Sequence, residues 1–318
     1  MKRNIVIGPP GTGKTTFLKD KVDKLINGGH CRPDEIGYFS FTVKAAEEIR
    51  DRVAKEEWSE AELKKMYPYF CTLHSLAYKR LQLQQSQIMD QSDYDDLSRI
   101  TGRYFVNKMK KGNGMDISMP TAKSEYQDLI NLAYAKFPDD DDRLNQIFRT
   151  VKLSDYGARN TIEQMDLDLK NFKRDRDKLE YVDYFNHFLQ RKNPPPLKYL
   201  FVDEAQDLSA HQWQVIDMIQ EVAKPIETYV AGDDDQAIFR WAGADIEHFI
   251  AMAKDDDNTI IPLTQSYRIP KSVHTIATKL AQSISRRIDK SYKPRDEEGE
   301  RKVLNIRPLN KGLAEGEW

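Results

Sequence analysis

Between Ile5 and Thr16 the chain reads IVIGPPGTGKTT. Gly8, Gly13, Lys14 and Thr15 stand at the spacing G-x-x-x-x-G-K-T, a pattern that cradles a triphosphate. Glycines let backbone N–H groups converge on phosphate oxygens where a Cβ would clash. Lys14 supplies a point charge that reaches the outer phosphates, and the Thr15 hydroxyl is a ligand for Mg2+. A helix starting near Gly13 turns its positive end toward the same anion. The run Gly8, Pro9, Pro10, Gly11, Thr12, Gly13, Lys14, Thr15 and Thr16 is therefore the candidate nucleotide site. A glycine-rich turn with an incidental lysine is the competing reading. The apolar Ile5-Val6-Ile7 run before the loop and the helical Phe17-Leu18 pattern after it supply the strand-to-helix context that the motif demands.

Further residue sets fit the same chemistry. Asp203-Glu204-Ala205-Gln206-Asp207 follows the apolar run YLFV. A carboxylate at such a strand end holds Mg2+ in triphosphate-hydrolysing enzymes, a role assigned to Asp203, and Glu204 is placed to orient or deprotonate the attacking water. Taken alone, these acids read equally well as a helix start favoured by the helix dipole. Gly232-Asp233-Asp234-Asp235-Gln236 follows another apolar run, and the Gln236 amide is a candidate sensor of the γ-phosphate. Phe239 and Trp241 come next; exposed aromatics stack on unpaired bases, whereas an isolated pair more commonly belongs to a core. Phe41 and Thr42, in SFTVKAA, read as a base-stacking and phosphate-binding pair or as a buried Phe with a helix N-cap. His74, in Thr72-Leu73-His74-Ser75, has the same double reading.

Elements must bring these residues together. Asn4–Ile7, Ile36–Phe41, Phe70–Thr72, Tyr199–Val202, Ile226–Ala231 and Thr259–Pro262 read as strands, with helical periodicity over 14–26, 43–53, 74–83, 210–222, 246–253 and 271–285. Alternation of strand and helix implies a parallel sheet. From Gln84 to Lys192 the chain turns polar and helix-favouring, with Lys110–Lys123 as a loop, and sheet signals return after Pro194-Pro195-Pro196. The fold class expected is α/β: a P-loop NTPase (RecA-like) parallel sheet flanked by helices, carrying an inserted mainly helical subdomain. The division is 1–83, first part of the ATP-binding domain; 84–192, helical insertion; 193–285, second part; and 286–318, the start of a second RecA-like domain, with a strand over Lys302–Ile306. The 318 residues are 39% hydrophobic and 31% charged with a net charge of −2, which excludes a broadly basic coat but not a locally basic cleft. Two cysteines make no disulfide framework and suit a reducing compartment. No apolar run approaches membrane-spanning length, and no signal peptide is visible.

The ordered set GPPGTGKTT, SFTVKAAEEIRDRV, CTLHSL, VDEAQD, GDDDQAIFRWAGA and LTQSYR resembles the motifs of superfamily 1 DNA helicases of the UvrD/Rep/PcrA type. The likeness covers the first RecA-like domain, from Asn4 to about Pro270. It implies that Lys14 and Thr15 bind ATP and Mg2+, that Asp203 supports Mg2+, and that Glu204 is the catalytic base. It further implies that Gln236 and Arg268 contact the γ-phosphate and that Tyr267 stacks on adenine. Phe41, Thr42, His74, Phe239 and Trp241 would lie along a single-stranded DNA path. The implied reaction is ATP hydrolysis coupled to 3′-to-5′ translocation on single-stranded DNA and unwinding at duplex junctions, in the cytoplasm of a bacterial or phage-infected cell.

Two departures bear on DNA contact: Val43 stands where the family has a polar residue, and Ala242 where it has an arginine. An adenine-recognition segment before the first strand and the motifs of a second RecA-like domain are not matched. The expectation is a truncated N-terminal motor half that alone binds ATP weakly, hydrolyses it slowly and does not unwind DNA, with a separate chain as one source of the second domain. The other readings are a helicase–nuclease subunit of the AddA/RecB kind and an ATP-gated DNA-binding module without motor activity.

Overall fold

The computed structural model describes residues 2–54, 58–107 and 124–300, apart from the side chain of Trp241. The expected loop over 110–123 and the expected strand over 302–306 lie outside the described residues. In chain order the elements are β1 (Lys2–Ile7), α1 (Lys14–Asn27), β2 (Ile36–Phe39), α2 (Val43–Ala54), α3 (Glu60–Met66), β3 (Phe70–Cys71) and α4 (Leu73–Leu81). Then come α5 (Gln91–Thr101), α6 (Glu125–Lys136), α7 (Arg143–Thr150), α8 (Tyr156–Arg176) and α9 (Tyr181–Arg191). The sheet resumes with β4 (Tyr199–Val202), α10 (Ala210–Ala223), β5 (Glu227–Gly232), α11 (Ile246–Lys254), β6 (Thr259–Pro262) and α12 (Lys271–Ala281).

The six strands pair in the order β3-β2-β4-β5-β1-β6, every pair parallel, as the strand–helix alternation requires. A parallel sheet covered on both faces needs apolar residues on both sides of each strand. In β1, Ile5 and Ile7 enter one core with Leu200 and Val202 of β4 and with residues of α4, α9, α10 and α11. Val6 enters the opposite core with Leu18 and Val22 of α1, Ile49 of α2 and Phe201 of β4. A third core, built from Leu97, Phe105, Ile130, Ile147, Phe148, Ile162, Leu169 and neighbours, lies wholly within the inserted helices. Tyr184, Phe185 and Phe188 of α9 belong instead to the first, sheet-side core, so α9 ties the insertion to the sheet. The limits 84–192 therefore remain a proposal: α9 lies inside them yet packs on the sheet.

Three local boundaries differ from the sequence reading. The second strand ends at Phe39, two residues early, because Thr42 is an N-cap: its Oγ1 accepts from Ala45 N at 3.2 Å and Ser40-Phe41 form the approach to the helix. Helix α3 was not anticipated, although Ser59-x-x-Glu62 is a capping box whose Ser59 N donates to the Glu62 carboxylate at 2.9 Å. The last helix ends at Ala281, four residues short of the expected boundary.

Because all strands run parallel, the loops after β1, β2, β4 and β5 open on one edge of the sheet, where such folds bind ligands. Every motif singled out above for nucleotide chemistry begins at one of those strand ends or at the end of β6. Among the described residues, no helix is long and apolar enough to cross a membrane.

Candidate functional site

The loop after β1 is held by its own backbone. Gly11 and Gly13 have φ of +71° and +82°, a left-handed conformation that strains any residue with a Cβ. Thr12 is buried, its Oγ1 donating to Pro9 O at 2.8 Å. Gly13 caps α1 without a side-chain partner and no acid stands in the first turn, so the helix N-terminus is left for an external anion. Lys14 is buried and its Nζ donates to Gly8 O at 3.0 Å, folded back across the loop. Gly8 and Pro9 are buried, Pro10 and Thr15 half-buried, and Thr16 exposed.

The end of β4 meets this loop directly. Asp203 is 3% exposed, and its Oδ2 accepts from Thr15 Oγ1 and from Tyr38 Oη, each at 2.9 Å, while its Oδ1 accepts from Glu204 N at 3.0 Å. All three donors are neutral, and among the described residues Asp203 has no ion-pair partner. Burial and the neighbouring Glu204 charge push its pKa up despite those hydrogen bonds. A buried carboxylate beside a hydroxyl, both hard oxygen donors and with no cation of their own, fits Mg2+, which takes one or two protein ligands and fills the rest with phosphate and water. Accordingly no cluster of three or more metal-binding acids, histidines or cysteines occurs among the described residues.

Glu204 itself has φ +53° and ψ +45°, a strained conformation for a non-glycine residue that lifts it out of the strand. Its Oε2 accepts from Gln206 Nε2 at 2.9 Å. The same amide nitrogen lies 3.3 Å from Asp207 Oδ2, and Gln206 Oε1 accepts from Asp233 N at 3.0 Å. One buried glutamine thus joins the acidic loop after β4 to the one after β5. Asp207 is pushed up to about 7 by burial and by the Glu204 charge. Its Oδ1 is buried without a hydrogen-bond partner.

Gln236 is half-buried, its Nε2 donating to Asp233 Oδ2 at 2.6 Å. The segment after β6 closes over the glycine-rich loop: Tyr267 N donates to Gly11 O at 2.9 Å and Ser266 Oγ to Pro10 O at 2.7 Å. A Cβ on Gly11 would stand 2.4 Å from the Cβ of Arg268, so this approach also requires a glycine. The Tyr267 side chain is 75% exposed and Arg268 is exposed, both on the rim of the loop.

The nucleic-acid candidates divide. Phe41 and Phe239, nearly two hundred positions apart, stack with centroids 5.5 Å apart and planes at 21°. Both are half-buried, between exposed Thr42 on one side and exposed Ile238 and Arg240 on the other. His74 points to a different place. Its ring packs on Phe185 at 4.2 Å and Tyr181 at 4.8 Å, and burial with neighbouring His211 lowers it to about 3. It is therefore neutral and apolar in character at neutral pH. The backbone of Trp241 lies in a 3-10 turn, Arg240–Ala242; its side chain is outside the described residues.

Sequence reasoning missed Tyr38, Gln206 and Ser266 as supports of the site. A tyrosine hydroxyl within the otherwise apolar β2 run IGYF was a usable signal, since a buried phenol requires a partner. Gln206 and Ser266 stand inside the quoted runs VDEAQD and LTQSYR, but nothing local gives the partners they hold.

Residues 1–257 match the model of the UvrD/REP helicase N-terminal domain. The ATP-dependent DNA helicase PcrA of Staphylococcus aureus is 26% identical over 311 residues, covering 93% of this chain and 40% of the relative. A probable DNA helicase II homolog of Mycoplasma genitalium is 27% identical over 305 residues, covering 87% of this chain and 40% of the relative. A probable DNA helicase of Mycoplasma pneumoniae is 26% identical over 299 residues, covering 89% and 54% respectively. The chain thus spans about half or less of the length of these curated relatives.

Proposed function

Because the chain belongs to the UvrD/REP helicase family, we propose that it carries an ATP-hydrolysing motor site acting on single-stranded DNA. The observation that carries this reading is the joint between Thr15 and Asp203, 188 positions apart yet 2.9 Å from each other, with Glu204 next in the chain. Lys14 and the free N-terminus of α1 bind the β- and γ-phosphates of ATP. Thr15 and Asp203 would hold Mg2+, which when bound would neutralise phosphate charge and polarise the reacting phosphoryl group. Glu204 takes a proton from the water that attacks the γ-phosphorus as the bond to the β-phosphate oxygen breaks, and Gln206 fixes one of its oxygens for that task. Gln236 and Arg268 contact the γ-phosphate, and exposed Tyr267 stacks on the adenine.

The Phe41–Phe239 pair, with Thr42 at the start of α2 and Trp241, forms the platform for bases. His74, half-buried against Tyr181 and Phe185 of α9, is better suited to holding α4 in place. Translocation runs 3′ to 5′ and opens duplex junctions when a second RecA-like domain, in the same polypeptide or another chain, faces Tyr267 and Arg268. Phosphate release by the purified chain, with and without single-stranded DNA, tests the reading. Hydrolysis should rise with DNA and vanish in Lys14→Ala; turnover indifferent to Lys14 would refute it.

A further inference from the structure

Beyond α12 the chain doubles back, and residues 287–295 lie across two loops of the site. At one end, Arg287 donates to both oxygens of Asp235, at 2.9 and 2.7 Å, and Ile288 N donates to Asp234 Oδ2 at 2.6 Å. Lys290 Nζ is 2.9 Å from Asp233 Oδ1 and 3.0 Å from Asp235 Oδ2, and also pairs with Asp234. At the other end, Lys293 N donates to Thr264 O at 2.7 Å, Ser266 N to Lys293 O at 2.8 Å and Arg295 N to Ile269 O at 2.9 Å. One strap therefore grips both the acidic loop after β5 and the segment that carries Tyr267 and Arg268.

The burial makes this more than a surface pairing. Asp233 is fully buried and the Lys290 side chain is 6% exposed. Burial opposes a charge on Lys290, but the surrounding carboxylates prevail and hold its pKa above the ordinary lysine value. A buried carboxylate stays ionised and fixed only when paired and hydrogen-bonded. Asp233 spends one oxygen on Lys290 and the other on the Gln236 amide. Without the cation, three consecutive carboxylates would repel one another, and the anchor of Gln236 would lose its fixed place.

Building on the ATP-site reading above, we propose that Lys290 is a positioning residue that sets Gln236 for the γ-phosphate through Asp233, and that its strap links Gln236 to Arg268. Lys290 touches no nucleotide in this scheme. Its effect is confined to the distinction between ATP and ADP, since ADP has no γ-phosphate for Gln236 to meet.

The test is equilibrium binding of Mg2+ with ADP and with a non-hydrolysable ATP analogue to the full chain. Gln236→Ala should lower the ATP-over-ADP preference about tenfold, the size of one hydrogen bond to a charged group. Lys290→Gln should lower it by a similar factor with ADP affinity within about twofold, the double variant should fall no further, and Lys290→Arg should recover most of the loss. Should Lys290→Gln fail to fold, Asp234→Asn/Lys290→Gln, which removes a carboxylate along with the cation, gives the same readout. Equal weakening of both nucleotides, or an unchanged preference where Gln236→Ala lowers it, overturns the proposal. Binding that ignores Lys14→Ala would instead overturn the ATP-site reading on which it rests.

Discussion

Asp207→Asn should stabilise the protein above neutral pH and do nothing in acid. Asp207 shares the Gln206 amide with Glu204, and burial and that neighbour push it up to about 7. The ordinary aspartate value is about 3.9. A carboxyl raised in the folded state binds its proton more tightly there than in the unfolded chain. Its ionisation therefore costs stability progressively as pH rises above about 4, and the cost is complete above about 7. Roughly three pH units correspond to about 4 kcal/mol at about 1.4 kcal/mol per unit. Because Asp207 is partly open to solvent, screening reduces this to about 2 kcal/mol. Asparagine keeps the shape and the acceptor for Gln206 while removing the charge. Thermal melts at pH 8 should rise by about 4 °C, at roughly 2 °C per kcal/mol for a chain of this size. At about pH 3, where the carboxyl is protonated in the folded and the unfolded chain alike, the two proteins should melt together. A variant that melts lower at pH 8, or shows the same shift at both pH values, would refute the view that Glu204 and Asp207 compete for charge.

Two further outcomes follow from the geometry. Gly11→Ala places a Cβ at φ +71° and 2.4 Å from the Arg268 Cβ; it should cost about 2 kcal/mol in chemical denaturation, from the left-handed backbone alone, and weaken ATP binding. Phe239→Ala breaks the stack on Phe41 and should weaken single-stranded DNA affinity by about 1–3 kcal/mol in fluorescence anisotropy while leaving ATP affinity in the absence of DNA unchanged.

Much of the candidate site was legible in the sequence because its parts are local. The strand–glycine–lysine order marks the glycine-rich loop after β1, and apolar runs fix β1, β4 and β5 as buried parallel strands whose ends must share one edge. What holds the acids in place was not legible. Tyr38 reaches Asp203 across 165 positions, Ser266 reaches Pro10 across 256, and Lys290 reaches Asp234 across 56. In sequence, Lys290 is one charge in a polar run, indistinguishable from a solvated lysine. Only the return of the chain after α12 gives it three carboxylates. The same holds for Phe41 and Phe239: each alone reads as core, and their mutual stack at half-burial appears only when the ends of β2 and β5 are brought side by side.

The assignment of Glu204 as the base beside the Thr15–Asp203 joint is tested most directly by Glu204→Gln, measured for Mg2+-dependent ATP binding and for DNA-stimulated phosphate release in the same preparation. Binding within about threefold of the native protein, with turnover lowered by about 10²–10⁴-fold, is the expected result. Turnover near the native rate would contradict it and move the proton acceptor elsewhere in the site.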